Sequence, residues 1–211
     1  GTLENDEEGH YSAIRYIDAD EFIKHIKQLM FGLRKADCRQ LARMYVMPLL
    51  QEAEAFRFRS VRLDLRENST TTNNTLIAIY KAMHGHDTEP DLDSKEWREW
   101  LDEELAKPLT DKQPQFSNLD EASASTLGLF QMSGEMMDKL DREAFGHFIL
   151  SMTQSVNDIL GIYVLAKLAG LFLEKDGEAN SRLPIVPLFE TIDDLQRGPE
   201  MMTELFTIPI I

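Results

Sequence analysis

The sequence has a single cysteine, Cys38, so no disulfide can form within the chain, and a lone thiol in helix-like sequence is typically small and buried. It also has no run of about 18 apolar residues, the length that a membrane-spanning helix requires. Residues 1–8 lack the basic start and apolar middle of a secretory leader. We therefore expect a cytoplasmic protein with no membrane partner.

Basic residues are scarce relative to acidic ones. The chain has 22 Lys and Arg against 37 Asp and Glu, which gives a formal net charge of -15. Nucleic-acid-binding proteins usually carry a basic surface that displaces counterions from phosphates. The sequence therefore predicts no nucleic-acid partner, while 43% hydrophobic residues over 211 positions suffice for a substantial core.

The first part of the chain has helical periodicity. Residues 18–36 begin with capping aspartates and place Phe22 and Ile26 on one apolar stripe. A second helical pattern covers about 38–56, where Pro48 is expected to kink the helix or split it into two. We predict an N-terminal helical segment over 18–58.

Three short segments have the pattern of β-strands. Residues 60–66 alternate apolar and polar side chains, and 147–152 and 183–189 are short apolar runs. Polar residues follow each segment, and helical sequence comes next. Parallel strands joined by helical crossovers explain this order.

The connecting segments complete this division of the chain. Residues 59–83 are predicted to form a strand, a polar Thr/Asn-rich loop and a helix from about 76. Residues 84–117 are predicted to be a polar insertion with one helix at about 94–106. Residues 118–211 are predicted to form a long helix followed by two strand–helix units, with a helix over about 156–173 and a linker at 177–181. The predicted fold is mainly α with a few parallel β-strands: a partial α/β (TIM-type) barrel, with 1–211 a single fragment of a larger catalytic domain.

Polar side chains stand at the predicted carboxyl end of each strand, namely Arg66, Thr153 and Glu190. In α/β barrels this edge carries the chemistry. A guanidinium binds phosphate or carboxylate as a fork, and a carboxylate oxygen suits Mg²⁺ or Mn²⁺. The alternative is structural, with Arg66 ending a strand and Glu190 capping the next helix.

The sequence contains one other candidate metal site. His84 and His86 form an H-x-H pair, but no further ligand lies at a recognisable spacing. We interpret the pair as part of a polar loop.

Longer segments carry a family resemblance. Residues 63–69 (LDLRENS) resemble the L-D-I-R-Q-x-S segment of phosphoenolpyruvate carboxylase, and 150–160 (LSMTQSVNDIL) resemble its I-S-M-x-x-x-x-D-V-L. Residues 184–195 (PIVPLFETIDDL) resemble its P-L-F-E-T-x-D-D-L, and the closing GPEMMTELF is similar to the family's sequence just after that motif. The order of the segments and their separations also resemble those of the family.

This resemblance implies an enzyme that carboxylates phosphoenolpyruvate with bicarbonate, giving oxaloacetate and inorganic phosphate with Mg²⁺ or Mn²⁺. It implies that Glu190 is a metal ligand and that Arg66 is a catalytic residue in contact with the phosphate or the transferring group. Ser69 and Ser151 are implied to belong to the substrate-binding strand ends. The resemblance also implies a homo-oligomer.

The sequence departs from the family pattern at two positions, with Glu67 in place of a usual Gln and Thr72 in place of a usual His. The family's catalytic histidine and second metal carboxylate match nothing here, so we expect no turnover from these 211 residues alone.

Two other functions compete with this hypothesis. One is a non-catalytic acidic helical module that binds a basic partner. The other is a different barrel lyase acting on a phosphorylated anion, which would need a lysine or histidine near the strand ends.

Overall fold

The computed structural model describes residues 16, 18–59, 61–85, 88–110, 113–139, 143–175 and 178–209. The acidic stretch at 4–8 and His86 lie outside them. The chain divides into two compact units, Gly1–Val61 and Arg62–Ile211. None of the described helices is long and apolar enough to cross a bilayer.

The first unit is helical, as its periodicity predicts. Helix α1 (Ala19–Lys35) begins at Asp18, whose side chain accepts a hydrogen bond from the Glu21 amide. Its buried stripe includes Ile23 and Ile26, which pack in a small separate core. Cys38 follows α1 and is only half-buried, so the expectation of a buried thiol is wrong.

The second helical stretch is continuous but irregular. It consists of α2 (Arg39–Leu41), a π-helical turn (Ala42–Val46) and α3 (Met47–Phe56). Pro48 lacks an amide hydrogen, and its ring would crowd the carbonyl four residues earlier. The wider turn just before Pro48 accommodates that defect, with the Met47 amide bonded to the Ala42 carbonyl.

The second unit is built on a parallel sheet of three strands in the order β1–β2–β5. The strands are β1 (Leu63–Asn68), β2 (Phe145–Ser151) and β5 (Ile185–Pro187). Both pairings are parallel, which confirms the predicted strand arrangement with shifted boundaries.

A β-hairpin follows α7 (Val156–Leu168), where the sequence predicts a helix to 173 and a linker at 177–181. Strands β3 (Phe172–Lys175) and β4 (Glu178–Ser181) pair antiparallel. Gly170 has φ +80, a conformation that ends the helix and redirects the chain. The predicted helix is therefore too long, and the described part of the predicted linker, 178–181, is a strand. Residue 177 lies outside the described residues.

The predicted polar loop after β1 is also wrong, because helix α4 (Ser69–His84) begins directly at the strand end. Asn68 is its N-cap and accepts a hydrogen bond from the Thr70 amide at 2.8 Å. The Thr72 and Thr75 hydroxyls donate to carbonyls one turn earlier, so both can be buried within the helix. Tertiary packing overrides the low helix propensity of this run.

Three further helices complete the described part of the second unit. They are α5 (Lys95–Ala106), α6 (Glu121–Lys139) and α8 (Ile192–Leu205). Helix α5, inside the predicted polar insertion, buries both tryptophans, Trp97 and Trp100, in the main core. Phe130 of α6 stacks on Phe148 of β2 with ring centroids 4.9 Å apart.

The sheet has one covered face and one open face. Phe148 and Leu150 of β2 are fully buried beneath the helices, whereas His147 on the other face is exposed. Arg66 lies on that open face, opposite Ile149 in the ladder. The described strands form an open sheet and do not close a barrel.

Two glycines with open space around them should respond oppositely to alanine. Gly128 lies within α6, so Gly128→Ala should raise the free energy of unfolding by about 0.5–1 kcal/mol by restricting the unfolded chain. Gly85 has φ +66 at the end of α4, so Gly85→Ala should lower the free energy of unfolding by about 1 kcal/mol. Urea denaturation of both variants would measure these changes. Free energies of unfolding that shift in the same direction in both variants would contradict the prediction.

Candidate active site

Arg66 and Glu190 meet at the open face of the sheet. Arg66 lies in β1, and Glu190 follows β5, two strands away in the sheet. The Arg66 Nη2 atom lies 3.0 Å from Glu190 Oε1. The side chains remain 58% and 31% exposed, and an exposed ion pair contributes only about 0–1 kcal/mol to stability. The pair therefore adds little to the stability of the fold.

The structural alternative for Glu190 is wrong, because α8 has a different cap. The Thr191 side chain accepts a hydrogen bond from the Asp194 amide, and the Asp194 carboxylate accepts one from the Thr191 amide. This reciprocal capping box satisfies the helix start. Glu190 stands just outside the cap and is left to interact with Arg66.

The residue after β2 supplies a second contact to Glu190. The Met152 amide donates a hydrogen bond to Glu190 Oε2 at 3.2 Å. Arg66 holds the other oxygen, so both carboxylate oxygens have a donor. A carboxylate accepts about four hydrogen bonds, which leaves lone pairs for a further ligand. Nothing in the sequence pattern indicated that a backbone amide would take part.

The two predicted serines lie at the same strand ends, but both are buried. The Ser69 hydroxyl donates to the Met152 carbonyl at 2.7 Å, and the Ser151 hydroxyl donates to the Glu67 carbonyl at 3.1 Å. Each hydroxyl therefore donates its one hydrogen to a backbone carbonyl at the end of the neighbouring strand. Their predicted contact with substrate stays a prediction.

Thr153, the polar residue predicted at the end of the second strand, is fully buried. Its hydroxyl donates to the Leu150 carbonyl at 2.8 Å. It therefore stabilises the turn after β2 and does not face the open side with Arg66.

The two positions that depart from the family pattern lie beside the site. Glu67 is half-buried, and its carboxylate accepts a hydrogen bond from the Asn68 amide at 2.7 Å. Thr72 is fully buried and donates to the Ser69 carbonyl at 3.0 Å. Thr72 thus supports the first turn of α4, and Glu67 supports the junction between β1 and α4.

Sequence reasoning missed a second polar pair on the sheet. The β1–β2 register shifts between Leu63 and Leu65, so β2 carries an extra residue there. The His147 amide donates to Asp64 Oδ1 at 2.8 Å, and His147 Nδ1 lies 3.4 Å from the same oxygen. Gly146 permits this approach, since a Cβ there would lie 2.3 Å from Asp64 Oδ1. The competing barrel lyase would need a lysine or histidine near the carboxyl ends of the strands. His147 lies near the amino end of β2 and so does not meet that requirement.

The described residues do not form a complete metal site. They contain no group of three or more His, Cys, Asp or Glu side chains that could hold a cation. Mg²⁺ and Mn²⁺ favour several oxygen ligands, and here Glu190 can offer one carboxylate. His84 instead directs Nδ1 to the Tyr80 carbonyl at 2.9 Å and packs against the Tyr80 ring, so the described part of the H-x-H pair has a structural contact.

A cavity of about 400 Å³ lies away from this edge, lined mainly by the segment after α5, by α7 and by the turn that follows α7. Lys167 lines it, and its ammonium donates to the Glu104, Leu105 and Lys107 carbonyls at the end of α5. Burial lowers the pKa of Lys167 below its usual value. Its three donors are occupied, so Lys167 acts as a helix cap.

The fold and the site together define a class of protein, an α/β unit with an arginine–carboxylate pair at the carboxyl edge of a parallel sheet. The phosphoenolpyruvate carboxylase family model matches residues 2–211. The chain belongs to that family.

Curated relatives agree with the family match. The chain is 50% identical over 202 residues to a phosphoenolpyruvate carboxylase of Methylorubrum extorquens, covering 93% of this chain and 22% of the relative. It is 30% identical over 210 residues to the enzyme of a Synechococcus species, covering 98% and 20%, and 32% identical over 200 residues to that of Gloeobacter violaceus, covering 92% and 20%. The chain therefore spans about a fifth of the length of these relatives.

Proposed function

We propose that this chain is part of the catalytic domain of a phosphoenolpyruvate carboxylase, which forms oxaloacetate and inorganic phosphate from phosphoenolpyruvate and bicarbonate with Mg²⁺ or Mn²⁺. Family membership supports this activity for the longer protein. The observation that carries it to particular residues is the 3.0 Å contact between Arg66 and Glu190 across the strand ends. The non-catalytic alternative treats the strand segments only as core and gives this contact no role.

Arg66 is proposed to bind the phosphate or the transferring group. Loss of phosphate and formation of an enolate both concentrate negative charge, which a fixed guanidinium stabilises without reorganisation. Arg66 is 58% exposed on the open side of the sheet, so its remaining N–H groups can reach a ligand.

Glu190 is proposed to provide one ligand to the divalent cation. Both of its oxygens are already oriented, by Arg66 and by the Met152 amide. When bound, the cation would polarise oxygens of the substrate and neutralise developing charge. The other ligands must come from outside the described residues, since these contain no complete cluster.

The wider setting is proposed on the same basis. The open face and the β1–β2–β5 order support a sheet that belongs to a TIM-type barrel. Ser69 and Ser151 are proposed to shape the substrate-binding edge. We also propose a cytoplasmic, homo-oligomeric enzyme with no nucleic-acid partner, in keeping with the net charge of -15.

Coupled assays of oxaloacetate formation would test the proposal. The full-length enzyme that contains this segment should turn over only with phosphoenolpyruvate, bicarbonate and Mn²⁺ or Mg²⁺ present together. The 211-residue chain alone should show no turnover, because catalytic groups must be held together in space. Full-length protein that forms no oxaloacetate would contradict the activity, and robust turnover by the chain alone would contradict its being one part of the site.

A further inference from the structure

Met152 has a backbone conformation that its side chain does not favour. Its φ is +57, in the left-handed region, directly after β2. For a residue other than glycine this costs about 1–2 kcal/mol, and it persists only where surrounding contacts enforce it. Methionine also lacks the short polar side chain that lets Asn or Asp stabilise this region by local hydrogen bonds.

Contacts from other strand ends hold the backbone of Met152 and Thr153 in place. The Ser69 hydroxyl, at the start of α4, donates to the Met152 carbonyl at 2.7 Å. The Met152 amide donates to Glu190 Oε2 at 3.2 Å. The next amide, that of Thr153, donates to the Leu188 carbonyl at 3.4 Å. One contact joins the turn after β2 to the start of α4, and the other two join it to the segment just after β5.

The two buried serines act as a reciprocal pair across β1 and β2. Ser69 follows β1 and bonds to the turn after β2, while Ser151 ends β2 and bonds to the Glu67 carbonyl in β1. Their exposures are 6% and 7%, so neither competes with much water for its bond. The Ser69 bond extends the β1–β2 connection past its last ladder pair, Asn68 with Ser151, and the Ser151 bond reinforces the end of the ladder itself.

We infer that Ser69 and Met152 are positioning residues for Glu190. The Ser69 hydroxyl holds the Met152 carbonyl, which restrains residue 152 in its left-handed conformation while the amide on the other side of its Cα donates to Glu190 Oε2. Oε1 is thereby left for Arg66. The inference deepens the proposed function, because it explains how the carboxylate of that site is oriented before any ligand arrives.

NMR on the 211-residue chain would test the inference without any assay of turnover. The ¹³C shifts of residue 152 report its backbone region, and exchange of its amide hydrogen reports the contact with Glu190. Ser69→Ala should move the Met152 shifts away from left-handed values and speed its amide exchange by about tenfold, because one hydrogen bond and the restraint on the strained peptide are lost. Ser69→Thr, which keeps the hydroxyl, should restore native values.

Two further variants separate positioning from a general loss of structure. Thr70→Ala removes the neighbouring, exposed hydroxyl and should leave residue 152 unchanged. Met152→Gly in the Ser69→Ala background should bring back slow exchange at position 152, because glycine adopts positive φ without strain. Such rescue would be unexpected if Ser69→Ala simply unfolded the chain.

The inference is overturned if Ser69→Ala leaves the shifts and exchange of Met152 as in the native chain, or if Thr70→Ala changes them equally. A failure of the proposed function would look different. In that case Glu190→Gln in the full-length enzyme would leave metal-dependent turnover intact, while residue 152 still responded to Ser69→Ala as expected.

Discussion

Replacing Glu190 by glutamine in the full-length enzyme should reduce metal-dependent turnover about 100- to 1,000-fold, the usual cost of removing one group that stabilises developing charge. Glutamine keeps the shape of the side chain and an oxygen that can accept the Met152 amide. It removes the negative charge that pairs with Arg66 and that a hard cation requires. Initial rates measured across a Mn²⁺ concentration series would quantify the loss.

The thermal midpoint provides the first control for this variant. The Arg66–Glu190 pair is partly exposed and contributes little to stability, so Glu190→Gln should unfold within a few degrees of the native enzyme. Glu200→Gln, the same substitution at an exposed position of α8, should leave the rate unchanged. An unchanged metal requirement in Glu190→Gln would refute the proposed ligand role.

Replacing Arg66 by alanine should lower kcat/KM by about 100- to 1,000-fold, because the reacting anion loses a fixed cationic donor. Arg66→Lys should recover only part of that loss. Lysine retains the charge but not the planar fork that binds phosphate or carboxylate through two parallel hydrogen bonds. Steady-state kinetics with varied phosphoenolpyruvate would show whether KM or kcat carries the effect.

Arg62→Ala is the matched control for this experiment. Arg62 also lies in the β1 region and is 50% exposed, but it pairs with Glu143 at 3.1 Å, away from Glu190. Its removal should change kcat/KM less than about twofold, as expected for a surface ion pair. Equal losses in Arg62→Ala and Arg66→Ala would indicate a general electrostatic effect and contradict a specific role for Arg66.

The parts of the fold that the sequence predicts well are those with one dominant local signal. Helix α1 has an aspartate cap and a regular apolar stripe, and α5, the one helix predicted in the polar insertion, has Ser94 as its cap. The run from Ser69 to Thr75 is predicted to be a loop because its residues have low helix propensity. Its helix is fixed instead by the Asn68 cap and by burial of threonines. The β3–β4 hairpin escapes prediction because its strands have only four residues each.

The sequence predicts the side-chain pair of the site but not the backbone and hydroxyl contacts around it. The approach of Arg66 to Glu190 follows from the order of the strands, because parallel strands bring their carboxyl ends to one edge, although β1 continues two residues past Arg66. The Met152 amide could not be predicted, since a backbone donor has no sequence signature and a positive φ is unexpected for methionine. The inward orientation of the Ser69 hydroxyl could not be predicted either, because its acceptor is the Met152 carbonyl, 83 residues further along the chain.

The central claim is that Glu190 is a cation ligand at the strand edge where it meets Arg66. Anomalous scattering from Mn²⁺ in crystals of the full-length enzyme tests this claim most directly. The account predicts an anomalous peak within bonding distance of the Glu190 carboxylate, about 2 Å, and close to the Arg66 side chain. A fully occupied Mn²⁺ peak at other residues, with Glu190 still bonded only to Arg66 and Met152, would contradict it.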